Sequence, residues 1–339
     1  MQKPTAAPPS APDPAPGRRR RRRHARLLGW ALTLALVVVG AVVLQGRWDS
    51  VREAGGLPGW APSAVAALAF LVANAVLAAT WRAVVALAGT HLAFWTAAWV
   101  WAVSQLARYT IGAAQVGGRA VAGRRYGLSA TAGAVTTLVE IAWQTSLTAA
   151  LVLGTLPWWL PGAQGLNWLA AVGVAPAAVL VAGLVHPRGV LRTVGRVLAV
   201  PPLDRLAGGR LQGAADAVVL SRGDAARVTA LFAVNTALRL VGFLTLFVAV
   251  GGDLRAAGLQ AVGAHAAGHL VGRLAVFAPG GLGPREGATA LVLAPAIGGG
   301  PAVVLVAATR LLEVVAELAF LALTRTLRPA ATPPVRQDG

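Results

Sequence analysis

Two short stretches of the chain combine arginine with glycine or proline between long apolar runs. The first is RYTIGAAQVGGRAVAGRRYG, from Arg108 to Gly127, and the second is RLAVFAPGGLGPREG, from Arg273 to Gly287. In hydrocarbon, both a guanidinium group and a non-helical backbone are costly unless protein or a polar cavity surrounds them. Guanidinium groups also suit phosphate, because they donate two parallel hydrogen bonds. The two stretches therefore predict an internal binding site for an anion.

The second stretch predicts the start of a new helix. Pro284 suits the first turn, where a backbone N–H has no helical partner, and Ala288–Ile297 continues as a half-helix. The N-terminus of a helix presents free N–H groups and a partial positive charge, which favour phosphate. We expect Arg285 to donate to the anion. Glu286, in the same turn, is expected to favour the helix end, or to hold Arg285 or a substrate amine.

The first stretch supports a parallel interpretation. The Gly117-Gly118 pair is expected to loosen the backbone before Arg119, and Arg108 precedes the pair. The alternative is that the glycines allow close helix packing and that the arginines mark the inner edge of a membrane. Arg119 fits both interpretations equally well. For the Arg-Arg pair that follows it, the membrane edge is the better interpretation.

Acidic residues within apolar runs need partners in a membrane. Arg310, Glu313 and Glu317 are spaced three, four and seven residues apart, so they share one helical face. This spacing predicts mutual neutralisation, or pairing with an arginine of the second stretch. Glu140 has no basic residue one turn away, so it either meets a partner on another helix or carries a proton. Together these residues predict an intramembrane charge network, in which a protonatable acid could couple transport to a proton gradient.

The sequence predicts no catalytic residue, no cofactor and no metal site. It contains no cysteine, which excludes disulfides and thiolate metal sites. His265 and His269 have the i,i+4 spacing of one helical face, but the segment HAAGH lacks the glutamate of the zinc-protease helix. We interpret the two histidines as a packed or cavity-facing pair.

Composition indicates a membrane protein. The chain is 56% hydrophobic and 12% charged, whereas soluble domains average about 25% charged residues. Its net charge of +18 is concentrated in a tail and in loops between apolar runs. Arginine is expected there because cytoplasmic loops of membrane proteins are basic. Membrane topology therefore accounts for the net positive charge, and nucleic acid is excluded as a partner.

Eight apolar segments each approach the length of about 20 residues that crosses a bilayer core. They are Leu27–Leu44, Ala61–Trp81, Leu92–Ala107, Ser129–Leu156, Leu166–Val185, Ala226–Val250, Ala257–Ala278 and Pro301–Leu323. The predicted fold class is therefore all-α, a polytopic bundle of about eight spans plus two broken or re-entrant half-helix segments. Residues 1–26 are predicted to form a disordered cytoplasmic tail rich in proline and arginine, 27–325 the transmembrane domain, and 326–339 a disordered C-terminal tail.

Loop charge constrains the topology. If only the eight apolar segments cross, the basic loop 186–222 lies outside the cell, against the tendency of arginine-rich loops to stay in the cytoplasm. If both Gly/Pro/Arg stretches also cross, that loop and both termini are cytoplasmic. Re-entrant loops with one misplaced span are the alternative. In the crossing topology the two stretches run in opposite directions, so an inverted repeat, as in many secondary transporters, and chance similarity both stay open.

The same residues carry a resemblance to a known family. The segment SQLARYTIGAAQVGGRAVAGRRYGLSATAGAVTTLVE resembles the first signature of the lysylphosphatidylglycerol synthase transmembrane-region family, a flippase-like domain. The segment HLVGRLAVFAPGGLGPREGATALVL, followed by ATRLLEVVAEL, resembles the second. The resemblance covers about residues 30 to 325. The chain departs from the family at Ile111-Gly112, where Pro-Gly is usual.

This resemblance implies a multi-pass protein of the bacterial inner membrane. The family's domain translocates aminoacylated phospholipid, and relatives are linked to polyprenyl-phosphate lipids. The positions that match the family are Arg108, Arg119, Arg273, Arg285, Glu286 and Arg310. The large aminoacyl-transfer domain of the full-length synthases does not follow the last apolar segment, so lipid aminoacylation is not expected.

The leading hypothesis is a lipid flippase for an anionic or aminoacylated phospholipid or a polyprenyl-phosphate lipid. The headgroup is expected to bind at Arg108, Arg119, Arg273, Arg285 and Glu286, while the acyl chains stay in the bilayer and the two halves rock. One alternative is a membrane transferase with a lipid-linked donor, for which the outer loops offer only Asp49, Glu53 and Asp253. Another is a non-transporting scaffold or partner subunit. Membrane lipids are the expected partners, and a homo-oligomer stays open.

Overall fold

The structure is a computed structural model of the chain, and it describes residues 57–109, 114–160, 221–275 and 278–328. All regular elements in these ranges are helical, which confirms the predicted all-α bundle. The α-helices are α1 (Trp60–Leu87), α2 (Phe94–Ala107), α3 (Ala114–Gly123), α4 (Ala130–Thr155), α5 (Arg222–Ala249), α6 (Leu254–Leu274), α7 (Pro284–Ile297) and α8 (Gly299–Leu327). Short 3-10 turns follow at Arg124–Tyr126, Leu156–Trp158 and Pro279–Gly281.

Three of the described helices are long and apolar enough to cross a membrane. They are α1, α5, and α4 together with its following turn, and they correspond to the second, sixth and fourth predicted spans. Helices α6 and α8 have 21 and 29 residues but do not meet the same combined criterion of length and apolar composition. Helix α2 has 14 residues, fewer than the roughly 20 that cross a bilayer core. The first and fifth predicted spans lie outside the described residues. The predicted N-terminal tail does too, as does the predicted C-terminal tail except for residues 326–328.

Local side-chain caps begin several of these helices. Ser129 accepts the N–H of Ala132 at 3.1 Å at the start of α4. At the start of α5, the Ser221 hydroxyl accepts the N–H of Asp224 at 3.1 Å, and the Asp224 carboxylate accepts the N–H of Ser221 at 3.3 Å. Asp253 accepts a backbone N–H two residues further on at 2.8 Å to begin α6. Each cap satisfies N–H groups that have no partner inside the helix.

Helices α1 and α5 pack closely along each other. The Asn235 side-chain amide donates to the carbonyl oxygen of Ala73 at 2.6 Å. A Cβ atom at Gly242 would lie only 2.7 Å from Cε1 of Phe70, so the glycine permits this approach. A buried apolar cluster that includes Trp81 and Phe320 extends this packing to α2 and α8. Small residues and interhelical hydrogen bonds of this kind hold helices together where the surroundings are apolar.

The described helices form two runs with the same order. Helices α1 to α4 have 28, 14, 10 and 26 residues, and helices α5 to α8 have 28, 21, 14 and 29 residues. In each run the shortest helix packs against the helices before and after it, α3 against α2 and α4, and α7 against α6 and α8. This order is what an internal repeat requires. The inverted direction of the repeat stays a prediction.

The expectation that Gly117-Gly118 loosens the backbone is wrong. Both glycines lie inside α3, and the chain turns earlier, at Arg108 and Tyr109 after the end of α2. We call these two residues the first junction. A Cβ atom on Gly118 would lie 3.2 Å from the Cβ of Ala107. The glycine therefore serves close packing of α3 on α2, the alternative that the sequence left open.

The second junction, residues 278–283, begins α7 where the sequence predicted it. Pro284 is the first residue of α7, and α6 ends at Leu274, short of the predicted end at Ala278. Positive φ angles occur at Gly280 (61°), Gly281 (71°) and Gly283 (89°). These angles favour glycine. A Cβ atom on Gly281 would also lie 2.9 Å from the carbonyl oxygen of Gly272, so no other residue type fits without strain.

Candidate functional site

A cavity of about 320 Å³ lies between the two runs of helices. Its charged lining residues are Arg108, Glu140, Arg239, Arg273, Arg285, Arg310 and Glu317. Glu140 lies near the middle of α4, and Arg239 lies just past the middle of α5. Both helices are candidate membrane spans. The charged cavity is therefore located about halfway along two helices that are long and apolar enough to cross a membrane.

Arg273 is held at the cavity by neutral groups on α4. Its Nη1 donates to the carbonyl oxygen of Gln144 at 3.1 Å and to the Thr148 hydroxyl at 2.7 Å. Its Nη2 donates to Oε1 of Gln144 at 3.1 Å. Among the described residues, Arg273 makes no ion pair with a carboxylate. The side chain is thus positioned while its positive charge stays uncompensated.

The carboxylate of Glu313 is shared among several cations. Arg285, the second residue of α7, donates from Nη2 to Oε1 of Glu313 at 2.7 Å. Nη1 of Arg239 lies 3.6 Å from the same oxygen, and Nη1 of Arg310 lies 3.7 Å from Oε2. The Glu313 side chain is only 1% exposed. One negative charge therefore serves three arginines, and it forms its shortest contact with Arg285.

The two junctions meet at one part of the cavity. The backbone N–H of Gly280 donates to the carbonyl oxygen of Arg108 at 2.9 Å, and Nη2 of Arg310 donates to the carbonyl oxygen of Gly280 at 3.1 Å. The Arg108 guanidinium forms an ion pair with Glu317 on α8. The Tyr109 hydroxyl donates to the other carboxylate oxygen of Glu317 at 2.8 Å. Residues far apart in the chain thus form one connected polar cluster.

Arg119 does not line the cavity. Its side chain is 1% exposed and forms an ion pair with Glu140, with Nη2 donating to Oε1 at 3.1 Å. Its Nε donates to the Ser104 hydroxyl at 3.0 Å, and its guanidinium carbon lies 5.0 Å from the centre of the Trp81 ring. Glu140 lines the cavity in front of it. The partner that Glu140 was predicted to need on another helix is Arg119, which supports the cavity wall from behind.

Glu286 is also absent from the cavity lining. Its Oε2 accepts the backbone N–H of Gly283 at 2.7 Å, and its Oε1 lies 3.6 Å from Nε of Arg310. It lies instead beside a second pocket of about 10 Å³, which it shares with Arg285 and Arg310. That volume accommodates about one water molecule. Of the roles expected for Glu286, the structure therefore shows one: its carboxylate stabilises the N-terminal end of α7.

The cavity contains residues that the sequence did not assign to the site. Gln144 and Thr148 continue the spacing of four residues from Glu140 along one face of α4, a pattern visible in the sequence. Arg239 was visible as an arginine inside an apolar run, and such residues usually face a polar space. Tyr109, in contrast, has no local signal. Its importance comes from Glu317, which approaches it from a distant part of the chain.

His265 and His269 both line the cavity. Their ring centroids are 4.5 Å apart in an edge-to-face arrangement, and Phe243 packs on His265 at 4.6 Å. Nε2 of His269 lies 3.7 Å from the Glu313 carboxylate. A packed, cavity-facing pair is what the sequence predicted. Within the described residues, no group of three or more His, Cys, Asp or Glu side chains could hold a metal ion.

Several buried nitrogen atoms at the cavity have no hydrogen-bond partner in the described structure. They are Nε of Arg108, Nε2 of Gln144, Nε2 of His269 and Nε of Arg310. The arginine and glutamine nitrogens can only donate hydrogen bonds. Buried polar groups are nearly always paired, so unpaired donors around a cavity indicate acceptors that enter it. The arrangement is chemically suited to hold an oxyanion.

Comparison with protein-family models, with curated proteins and with solved structures finds no match for this chain. The function is therefore inferred from the geometry of the cavity.

Proposed function

We propose that this protein moves an anionic lipid across a membrane, with the headgroup in the cavity and the acyl chains in the bilayer. The observation that carries the proposal is the position of an arginine-lined cavity halfway along two candidate spans, α4 and α5. Charged side chains at that depth are costly unless they face a polar space or each other. Binding sites near the middle of the bilayer, between two halves of the protein, are typical of secondary transporters.

The size of the cavity supports a headgroup ligand. Sites for small molecules usually measure roughly 300–1,000 Å³, and this cavity of about 320 Å³ is at the lower end of that range. It accommodates a compact polar group, whereas long acyl chains must remain outside. Arg108 binds the headgroup at the first junction, Arg285 binds it from the first turn of α7, and Arg273 binds it from α6. Arg119 acts indirectly, because it holds Glu140 in the wall.

The contacts between the junctions support a transport mechanism in which the two runs of helices move. Alternate opening of the cavity requires the runs to separate on one side at a time. The hydrogen bond from Gly280 to Arg108 and the Arg108–Glu317 ion pair connect the first junction to the second run. Both contacts would break when the runs part there. The pairs Arg119–Glu140 and Arg285–Glu313 each lie within a single run and would move with it.

The resemblance to the flippase-like family supports a membrane lipid as the substrate. A bacterial inner-membrane location with both termini in the cytoplasm belongs to this proposal. The transferase alternative gains no support from the described residues, because Asp253 caps α6 by accepting a backbone N–H. Asp49 and Glu53, the other acids considered for that activity, lie outside the described residues.

Transport by reconstituted protein tests the proposal. Full-length protein in liposomes should accelerate the inversion of an anionic phospholipid that carries a fluorophore on one acyl chain, followed by quenching with dithionite. Arg285→Gln removes one charge from the cavity. We expect it to slow inversion about tenfold, because a hydrogen bond to a charged group contributes about 1.5–3 kcal/mol. Arg227→Gln, at an exposed position of α5, removes the same charge away from the cavity and should leave the rate unchanged.

Two results would contradict the proposal. Inversion no faster than in protein-free liposomes would exclude lipid transport under these conditions. Equal rates for wild type and Arg285→Gln would exclude the role of Arg285. Because Gln removes the charged group in shortest contact with the buried Glu313, Arg285→Lys provides a second variant that keeps the charge. It should fold and retain more activity than Arg285→Gln, and size-exclusion profiles in detergent verify folding for all variants.

A further inference from the structure

Among the described residues, those that form and directly support the cavity wall have two more positive than negative side chains. The six guanidinium groups belong to Arg108, Arg119, Arg239, Arg273, Arg285 and Arg310. The four carboxylates belong to Glu140, Glu286, Glu313 and Glu317. With both histidines neutral, two positive charges have no carboxylate of their own. Uncompensated charge in a low-dielectric interior is costly, so a counter-ion of matching charge is expected.

The geometry identifies which two arginines are in excess. The shortest contacts pair Glu140 with Arg119, Glu317 with Arg108, Glu313 with Arg285, and Glu286 with Arg310. Arg239 is then left with the amide oxygen of Asn74 at 2.9 Å and with a 3.6 Å contact to Oε1 of Glu313, an oxygen that already accepts from Arg285 at 2.7 Å. Within the part of the chain that the structure describes, Arg273 has only neutral acceptors, on Gln144 and Thr148. Arg239 and Arg273 both line the cavity.

Unpaired donors accompany the excess charge. Oε1 of Gln144 accepts from Arg273, which leaves Nε2 of the same amide buried and without a partner. Nε of Arg108 is likewise buried without a hydrogen-bond partner in the described structure, and Nε of Arg310 has only an ion-pair contact with Glu286 at 3.6 Å. A phosphate monoester matches both features, because it presents three strongly accepting terminal oxygens and a charge of about −1.5 to −2 at neutral pH. A phosphodiester carries a single negative charge, and an aminoacylated headgroup carries none or is cationic.

We infer that the cavity selects a terminal phosphate monoester, with Arg239 and Arg273 as its counter-charges and Gln144 as a neutral donor. For a lipid substrate, this inference rests on the proposed function, because it names the class of anionic lipid that the protein transports. The same chemistry could be supplied by free phosphate. Lipid and free phosphate differ in whether an acyl chain is attached, so the experiment compares the two directly.

The test measures headgroup preference in liposomes that contain the full-length protein. Phosphatidic acid and phosphatidylglycerol with identical labelled acyl chains differ in having a monoester or a diester phosphate. We expect phosphatidic acid to be inverted at least about tenfold faster than phosphatidylglycerol, relative to protein-free liposomes, because charged hydrogen bonds are lost with the diester. Uptake of radiolabelled inorganic phosphate is measured in the same preparation, and none is expected.

Variants in the wall should reduce this preference in two independent ways. Arg273→Gln removes one excess charge without leaving a carboxylate unpaired, and Gln144→Glu adds one negative charge beside it. Each variant lowers the net charge of the cavity wall by one. Each should therefore reduce, by about tenfold, the ratio of the inversion rate of phosphatidic acid to that of phosphatidylglycerol. Arg273→Lys keeps the charge and should keep most of the preference. Arg227→Gln is the control on the exposed face of α5.

The outcomes separate this inference from the proposed function. Equal wild-type rates for the two lipids would overturn the inference and leave anionic lipid transport intact. A wild-type preference that persists in both Arg273→Gln and Gln144→Glu would also overturn it. Uptake of inorganic phosphate without lipid inversion would support the dianion site and overturn the lipid substrate. If neither lipid nor phosphate is moved, both proposals fail.

Discussion

The backbone N–H of Gly280 donates to the carbonyl oxygen of Arg108 at 2.9 Å, so the turn before α7 is hydrogen-bonded to the end of α2. A Cβ atom at position 280 would lie 2.8 Å from the ring of Tyr109, which explains why the contact requires glycine. Glu317 on α8 accepts hydrogen bonds from both Arg108 and Tyr109. One carboxylate thereby fixes the end of α2 beside the second junction.

Replacing Glu317 by glutamine should weaken this contact. Glutamine keeps the size of the side chain but removes the charge that Arg108 pairs with. We expect the free energy of unfolding to fall by about 1.5–3 kcal/mol, as for hydrogen bonds to charged groups. Tyr109→Phe removes one hydrogen bond and should cost roughly 1 kcal/mol. Denaturant unfolding in detergent measures both, and a Glu317→Gln protein as stable as wild type would show that the pair contributes nothing.

The pair Arg119–Glu140 should be strongly coupled. Arg119→Met alone leaves the Glu140 carboxylate, 5% exposed, without its partner, and removing one partner of a buried ion pair costs about 3–5 kcal/mol. Arg119→Met combined with Glu140→Leu should recover much of that loss. A double-mutant cycle of unfolding free energies measures the coupling. If the loss of unfolding free energy in the double variant equals the sum of the losses in the two single variants, the two side chains are not energetically coupled.

Gly281 should tolerate no other residue. Its φ is 71°, and the Cβ of an alanine there would lie 2.9 Å from the Gly272 carbonyl oxygen. Strained left-handed backbone costs about 1–3 kcal/mol, so Gly281→Ala should lower the melting temperature and slow transport. Gly287→Ala is the matched control, since a Cβ there meets nothing within 4 Å inside α7. That change should stabilise by roughly 0.5–1 kcal/mol. Similar melting temperatures for the two variants would argue against a strained second junction.

Thiol labelling should distinguish the cavity side of α5 from its outer face. The chain has no cysteine, so single cysteines can be labelled without background. Thr236 lines the cavity, and Val241 is 51% exposed on the outside of the same helix. In membranes, Thr236→Cys should react with a water-soluble methanethiosulfonate and Val241→Cys should not, because the reactive thiolate forms in water and not in lipid. Faster labelling of Val241→Cys would contradict α5 as a span with a polar inner face.

Several features of this protein could be predicted from the sequence because they depend on neighbouring residues. Long apolar runs predicted the helices α1, α4 and α5. Pro284 marked the start of α7, since a missing N–H is tolerated in the first turn. The high cost of a buried carboxylate predicted that Glu140 either meets a cation from another helix or carries a proton, and the structure shows the first alternative, with Arg119.

The identity of each partner and the direction of each side chain were decided by tertiary structure. The same residue types in the two stretches gave different outcomes, because Arg119 is enclosed behind Glu140 while Arg273 lines the cavity. Gly118 lies within a helix, where it allows α3 to pack on α2, whereas Gly281 has a left-handed backbone and lies against Gly272. Local sequence determines which segments form helices and how costly a buried charge is. The number of cations around one carboxylate depends on which helices pack together, and this packing cannot be predicted from short-range sequence patterns.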